Sequence, residues 1–268
     1  MVNLDTMSPA AVPVDDLLRA VTALVKAANW TAAEQLLAAA SVAVDDRYAQ
    51  ARLAITKAGI AVGRDQLLGQ QTAVAAIDLA ADAVAAAADD TMRWDIGMLR
   101  LRQLYFAAIE SDGERDAAAV ADLERTAVWL VETAPDEPRT GWACLFCGLI
   151  ADNVRDDRPA APVWYRRALR IAEKYDDDDL TWEVLRHLGD HDDDDAGDPV
   201  EARRKWEKSA WHAAKAGVVM GVLAQWTLLA TLDRKQGDHA AADVRAKDIA
   251  RWANAIGNER FQQQAERI

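Results

Sequence analysis

Cys144-Leu-Phe-Cys147-Gly148, Leu185-Arg-His-Leu188-Gly189 and Trp226-Thr-Leu-Leu229-Ala230 repeat one arrangement: two apolar residues three apart, then a small one. An alanine follows each small residue after 12 or 13 positions, at Ala161, Ala202 and Ala242, with Tyr165, Trp206 and Ala246 one helical turn further. Both ladders advance by 40 or 41 residues per step. A fixed period of that size marks stacked helical hairpins, each burying its apolar face on the next.

Outward from these units, apolar residues recur at three- and four-residue spacing from Val14 onward, and no sustained period-two run reads as a strand. The fold class is therefore all-α. Asp198-Pro199-Val200-Glu201 carries the sharpest helix start, with an aspartate to accept from free amides, proline at the first helical position and a glutamate placed to reach back. Asp176 to Asp179 reads as a second start, and Gly237-Asp238 and Gly113-Glu114 as tight turns. Six pairs are expected: 14–28 with 31–44, 46–62 with 66–88, 91–111 with 115–133, 139–154 with 159–175, 179–190 with 199–216, and 219–235 with 239–256. Residues 1–13, broken by Pro9 and Pro13, read as a flexible leader, 14–257 as the repeat domain, and 258–268 as a C-terminal helix or tail.

Trp226, Leu229, Ala230, Gly237-Asp238 and Ala242 resemble the tetratricopeptide repeat family, whose hairpin carries an aromatic, a leucine and a small residue on its first helix and an alanine on its second. The resemblance is good over 142–257, and small residues have a physical reason there, since two helices approach closely only where a side chain is absent or a single methyl. The period exceeds the family's usual 34, the family's closing proline is missing, and the unit at Cys144 lacks the leading aromatic. The resemblance implies a long-period α-α superhelix of about six antiparallel hairpins. It further implies a non-catalytic regulatory scaffold that holds a protein or peptide in a concave groove lined by the first helices, and the two closely spaced cysteines make the cytoplasm its expected location.

With Cys144, Cys147, Gly148 and Ala151 in the packing stripe, the opposite face of that helix presents Trp142, Leu145, Leu149, Asp152 and Asn153. The next hairpin offers Glu183, Arg186 and Asp190, and the last Thr227, Thr231, Arg234 and Lys235. The expected groove is mixed in charge with an aromatic at one end, suited to a segment held by a few anchors. Most of the ten tryptophans, Trp129 and Trp252 among them, read as spacers in the core.

A net charge of −13 argues against nucleic acid, even though Arg166, Arg167 and Arg170 with Arg203, Arg204, Lys205 and Lys208 make a basic band; pairing of that band with aspartates is the simpler account. No window is long and apolar enough for a membrane span. Two cysteines three residues apart fit a reducing compartment and packing better than redox or zinc chemistry. No catalytic motif and no cofactor signature is present. His187 and His191 beside Asp192 and Asp194 are the most metal-like patch, although no metal is assigned; these aspartates read as an inter-helix loop whose acidity should raise the histidine pKa values. That patch, or a tryptophan-lined pocket, supports the alternative of a small-molecule- or divalent-metal-binding protein, enzymes included.

Overall fold

The computed structural model describes residues 12–41, 45–110 and 116–268, and among them every regular element is an α-helix. The hairpins are α1 (Val14–Lys26) with α2 (Trp30–Ser41), α3 (Arg47–Leu68) with α4 (Ala73–Ala87), and α5 (Asp90–Glu110) with α6 (Ala117–Glu132). They continue as α7 (Glu137–Asn153) with α8 (Ala161–Lys174), α9 (Asp178–Asp194) with α10 (Pro199–Ala216), and α11 (Val219–Lys235) with α12 (His239–Ala255). A last helix, α13 (Glu259–Arg267), occupies the region expected to be a helix or tail. Helices pack in chain order, and the first helices also touch from hairpin to hairpin, α3 on α5, α5 on α7, α7 on α9 and α9 on α11. The expected leader, apart from Val12 and Pro13, and the Gly113-Glu114 turn lie outside the described residues.

Aspartate starts about half of these helices. Asp46, Asp116, Asp136, Asp177, Asp198 and Asp238 each accept a hydrogen bond from a first-turn amide, so much of the acidity is used to satisfy donors that a helix leaves free. At Asp198 the cap forms as expected, but Glu201 is held by Arg204 at 2.7 Å instead of reaching back. Gly217 closes α10 at φ 78° and Gly237 follows α11 at φ 83°, left-handed positions that only glycine takes without strain.

Two elements outrun their expected ends. α3 passes through Gly63, where the Trp30 ring lies 3.2 Å from the site of a Cβ, and stops only at Gly69. α9 continues to Asp194, so the aspartates read as a loop are helical. An acidic C-terminal turn opposes the helix dipole. Cations from three other segments offset it: Lys205 pairs with Asp192, Lys235 with Asp193 at 2.9 Å, and Arg158 with Asp194 and Asp195.

Inside the hairpins, a Cβ on Gly148 would meet the Tyr165 ring at 2.4 Å, and one on Gly189 would meet Trp206 at 2.6 Å. Both rings are buried, so the small and aromatic positions of the repeat are one interlock within a hairpin. Cys144, Cys147 and Ala151 are buried beside it, as the packing stripe required. The basic band is partly absorbed by ion pairs: Arg203 and Arg245 converge on buried Asp233, and Lys208 faces Glu173. Trp129, Trp211 and Trp252 are exposed, which corrects the expectation that Trp129 and Trp252 are core spacers.

Gly148→Ala and Gly59→Ala should move stability in opposite directions. At Gly59 the nearest atom to an added Cβ is 3.8 Å away, ordinary contact, so the better helix propensity of alanine should stabilise by about 1 kcal/mol. At Gly148 the clash with an immobile ring should cost about 1–3 kcal/mol and outweigh that gain. Urea midpoints of the two variants decide the matter, and a stabilised Gly148→Ala protein would contradict the interlock.

Candidate functional site

The first helices line an open cavity of about 880 Å³. Its walls come from α5, α7, α9 and α11, with Gln66 of α3, Trp206 of α10 and Arg260 of α13 at the margins. Of the twelve residues expected on a groove, Trp142, Leu145, Leu149, Asp152, Asn153, Glu183, Arg186, Asp190, Thr231 and Lys235 line it. Thr227 and Arg234 do not. The Thr227 hydroxyl donates to the Leu223 carbonyl at 2.9 Å, and Arg234 turns to the Ile268 carbonyl at 2.6 Å and to Asp243 at 2.7 Å. Packing of α13 on α11 takes that part of the face away from the cavity.

The polar groups of the site hang from the interlocks of the fold. Tyr165, seated on Gly148, donates its hydroxyl to Asp152 at 3.1 Å, and His191 reaches the same carboxylate at 3.1 Å. Trp206, seated on Gly189, donates its indole N–H to the Arg186 carbonyl and to Asp190, each at 3.1 Å. The Trp142 indole N–H is bound to Asp177, the cap of α9, at 3.1 Å. The rings that close each hairpin therefore also orient its carboxylates.

As groove positions, sequence reasoning missed Arg102, Tyr105, Phe106, Phe146, Trp206, Leu228 and His187, the last named only for the metal-like patch, and all are on the wall. A signal for four of them existed. Tyr105, Phe146, His187 and Leu228 stand 41 residues apart in succession and form one column across α5, α7, α9 and α11. Extending the register back to α5 would have found it.

Burial dominates the electrostatics. It pushes Glu183 up to about 7, against the attraction of Arg186 and Arg102, and Asp190 up to about 6, against Arg186 and the Trp206 hydrogen bond. Burial likewise lowers Arg102, partly offset by Glu183. His187 falls well below the ordinary histidine value, through burial first and then the charges of Arg186 and His191. The expected upward titration is thus reversed for His187, because α9 turns it inward against Tyr165, with rings stacked 5.3 Å apart, and desolvation lowers its pKa although Asp190 stands 3.7 Å from Nδ1. Neutral His187 presents Nε2 to Arg186 at 3.3 Å. The Nε of Arg186 is buried and has no hydrogen-bond partner. Among the described residues, neither Arg102 nor Arg186 forms an ion pair.

The metal-like patch is dispersed. His187 stacks on Tyr165, His191 is engaged by Asp152 and Asp195, Asp192 by Lys205 and Asp194 by Arg158, and among the described residues no cluster has the makings of a metal site. The thiols of Cys144 and Cys147 are pushed up by burial to about 11 and about 12, which keeps them protonated and poorly nucleophilic.

No known protein-family model matches this chain. No curated protein matches it either.

Glu183 sets a pH dependence with a definite sign. A carboxyl whose folded pKa is raised from 4.5 to about 7 binds its proton more tightly folded than unfolded, so its contribution is present below about 4.5 and is lost as pH rises through about 7. The stability of the native chain minus that of Glu183→Gln should therefore fall between pH 5 and pH 8. Denaturation of both proteins at those two values measures the difference, and an unchanged or rising difference refutes the assignment.

Proposed function

We propose that this chain is a tetratricopeptide-like α-α superhelical scaffold, a non-catalytic regulatory protein that receives a peptide or protein segment in its first-helix cavity. The observation that carries the reading is Arg102 and Arg186, two half-buried guanidinium groups without ion-pair partners among the described residues, set beside Trp142, Tyr105, Phe106 and Leu145. Cations kept out of salt bridges in a partly dry site are a costly arrangement that an acidic ligand group would relieve. Aromatic walls beside them supply anchors for apolar side chains. Register-related first helices on all sides support a repeat scaffold. No helix of the described residues is long and apolar enough to cross a membrane. Two buried free thiols suit a reducing compartment such as the cytoplasm.

A second reading rests on the cavity volume of about 880 Å³, which falls in the range of small-molecule pockets, and on Trp142 and Trp206 in its lining. In that reading the occupant is a small organic ligand carrying an acidic group.

Recovery from lysate of the native cell separates the two. The scaffold reading expects a stoichiometric protein partner with the native chain as bait and none with the Trp142→Ala, Arg186→Glu double variant. A partner held equally by both proteins removes the cavity from the reading. A small molecule seen by native mass spectrometry on the native chain alone, without any protein partner, favours the second.

A further inference from the structure

The 41-residue register also runs along the second helices, on a side that the cavity does not use. Trp129 of α6, Arg170 of α8, Trp211 of α10 and Trp252 of α12 follow one another at that interval, and all four are exposed. The three indoles are 54%, 58% and 43% exposed, while the neighbouring Leu130, Ala213 and Ala253 complete the packing beneath them. An indole in water forgoes the burial that is its main stabilising contribution, and here it recurs at one position of the repeat where the core does not need it.

This side also differs in charge from the rest of the molecule. α6 carries one cationic residue to three acidic, α8 four to one, α10 five to two and α12 three to two, a net excess of five in a chain whose formal charge is −13. Lys215 stands 5.4 Å over the Trp211 ring, and Arg166 and Arg170 are exposed between the first indole and the second.

We propose that this row is a docking surface for a short acidic segment of a partner protein, with apolar side chains between its carboxylates. The indoles take the apolar groups, and Arg166 and Arg170 take the carboxylates, since Lys215 is already paired with Asp178 at 2.9 Å. The charge pattern favours a short segment over an extended polyanion. Glu207 and Asp248 lie one helical turn before Trp211 and Trp252, and a membrane or nucleic acid meets these and the overall negative charge as well as the cations. A peptide aligns its carboxylates with the cations alone. The surface is separate from the cavity and stands whether or not the cavity binds a partner.

The probe is a fluorescein-labelled peptide of repeated Glu-Leu-Gly, titrated into the full chain at low salt and followed by anisotropy. Saturable binding is expected, weakened about tenfold or more by Arg170→Glu and by the Trp211→Ser, Trp252→Ser double variant. Arg170→Lys should retain it, which separates charge from folding, and the titration is repeated in the Trp142→Ala, Arg186→Glu background, in which the cavity does not take the probe. Absence of saturable binding in that background, or equal binding by the surface variants, overturns the proposal. So does stronger retention on phosphatidylserine vesicles or on an oligothymidylate than on the peptide.

Discussion

The close approach of two helices at Gly148 and Gly189 is the constraint on which the rest depends. Each glycine admits the flat ring of Tyr165 or Trp206 where even a methyl would collide. Each ring then has only one way to satisfy its polar atom, and in both hairpins that atom turns to the first helix, to Asp152 in one and to Asp190 and the Arg186 carbonyl in the other. A packing requirement thereby becomes a placement of charged groups. The cavity walls inherit their precision from the core.

Charge is distributed along the same logic. Aspartates at helix starts meet free amides and the positive end of the dipole, where they stabilise. The aspartates at the end of α9 meet the opposite field and hold only because Lys205, Lys235 and Arg158 are brought to them from other elements. Around Arg102, Glu183 and Arg186 neither device operates. The three interact without direct pairing, and burial moves the pKa of Glu183 toward neutrality. This part of the cavity is electrostatically unfinished, whereas the end of α9 is not.

The acidic run shows why local reading fails at such places. Asp192 to Asp194 lacks helix-forming character and follows Gly189, so a loop is the local expectation. Tertiary cations overrule it. His187 is a companion case: its sequence neighbours suggest a raised pKa, but the turn of the helix buries it against Tyr165, and desolvation lowers the pKa although Asp190 stands 3.7 Å away. Trp129 and Trp252 fail for the converse reason, because spacing from a buried alanine fixes the helix but not which side of it faces water.

By itself the sequence determined the helices, two of their capped starts, the repeat positions of the small residues, and ten of the twelve positions expected on the first-helix face. All of these follow from spacing along one helix or from a single repeat interval, which are local quantities. Only the tertiary structure decided that Arg102 of α5 joins Glu183 and Arg186 of α9, that α13 withdraws Arg234, and that the second helices turn their tryptophans outward. Those facts depend on the angle between hairpins and on desolvation, which arise where separate elements meet and have no period to read.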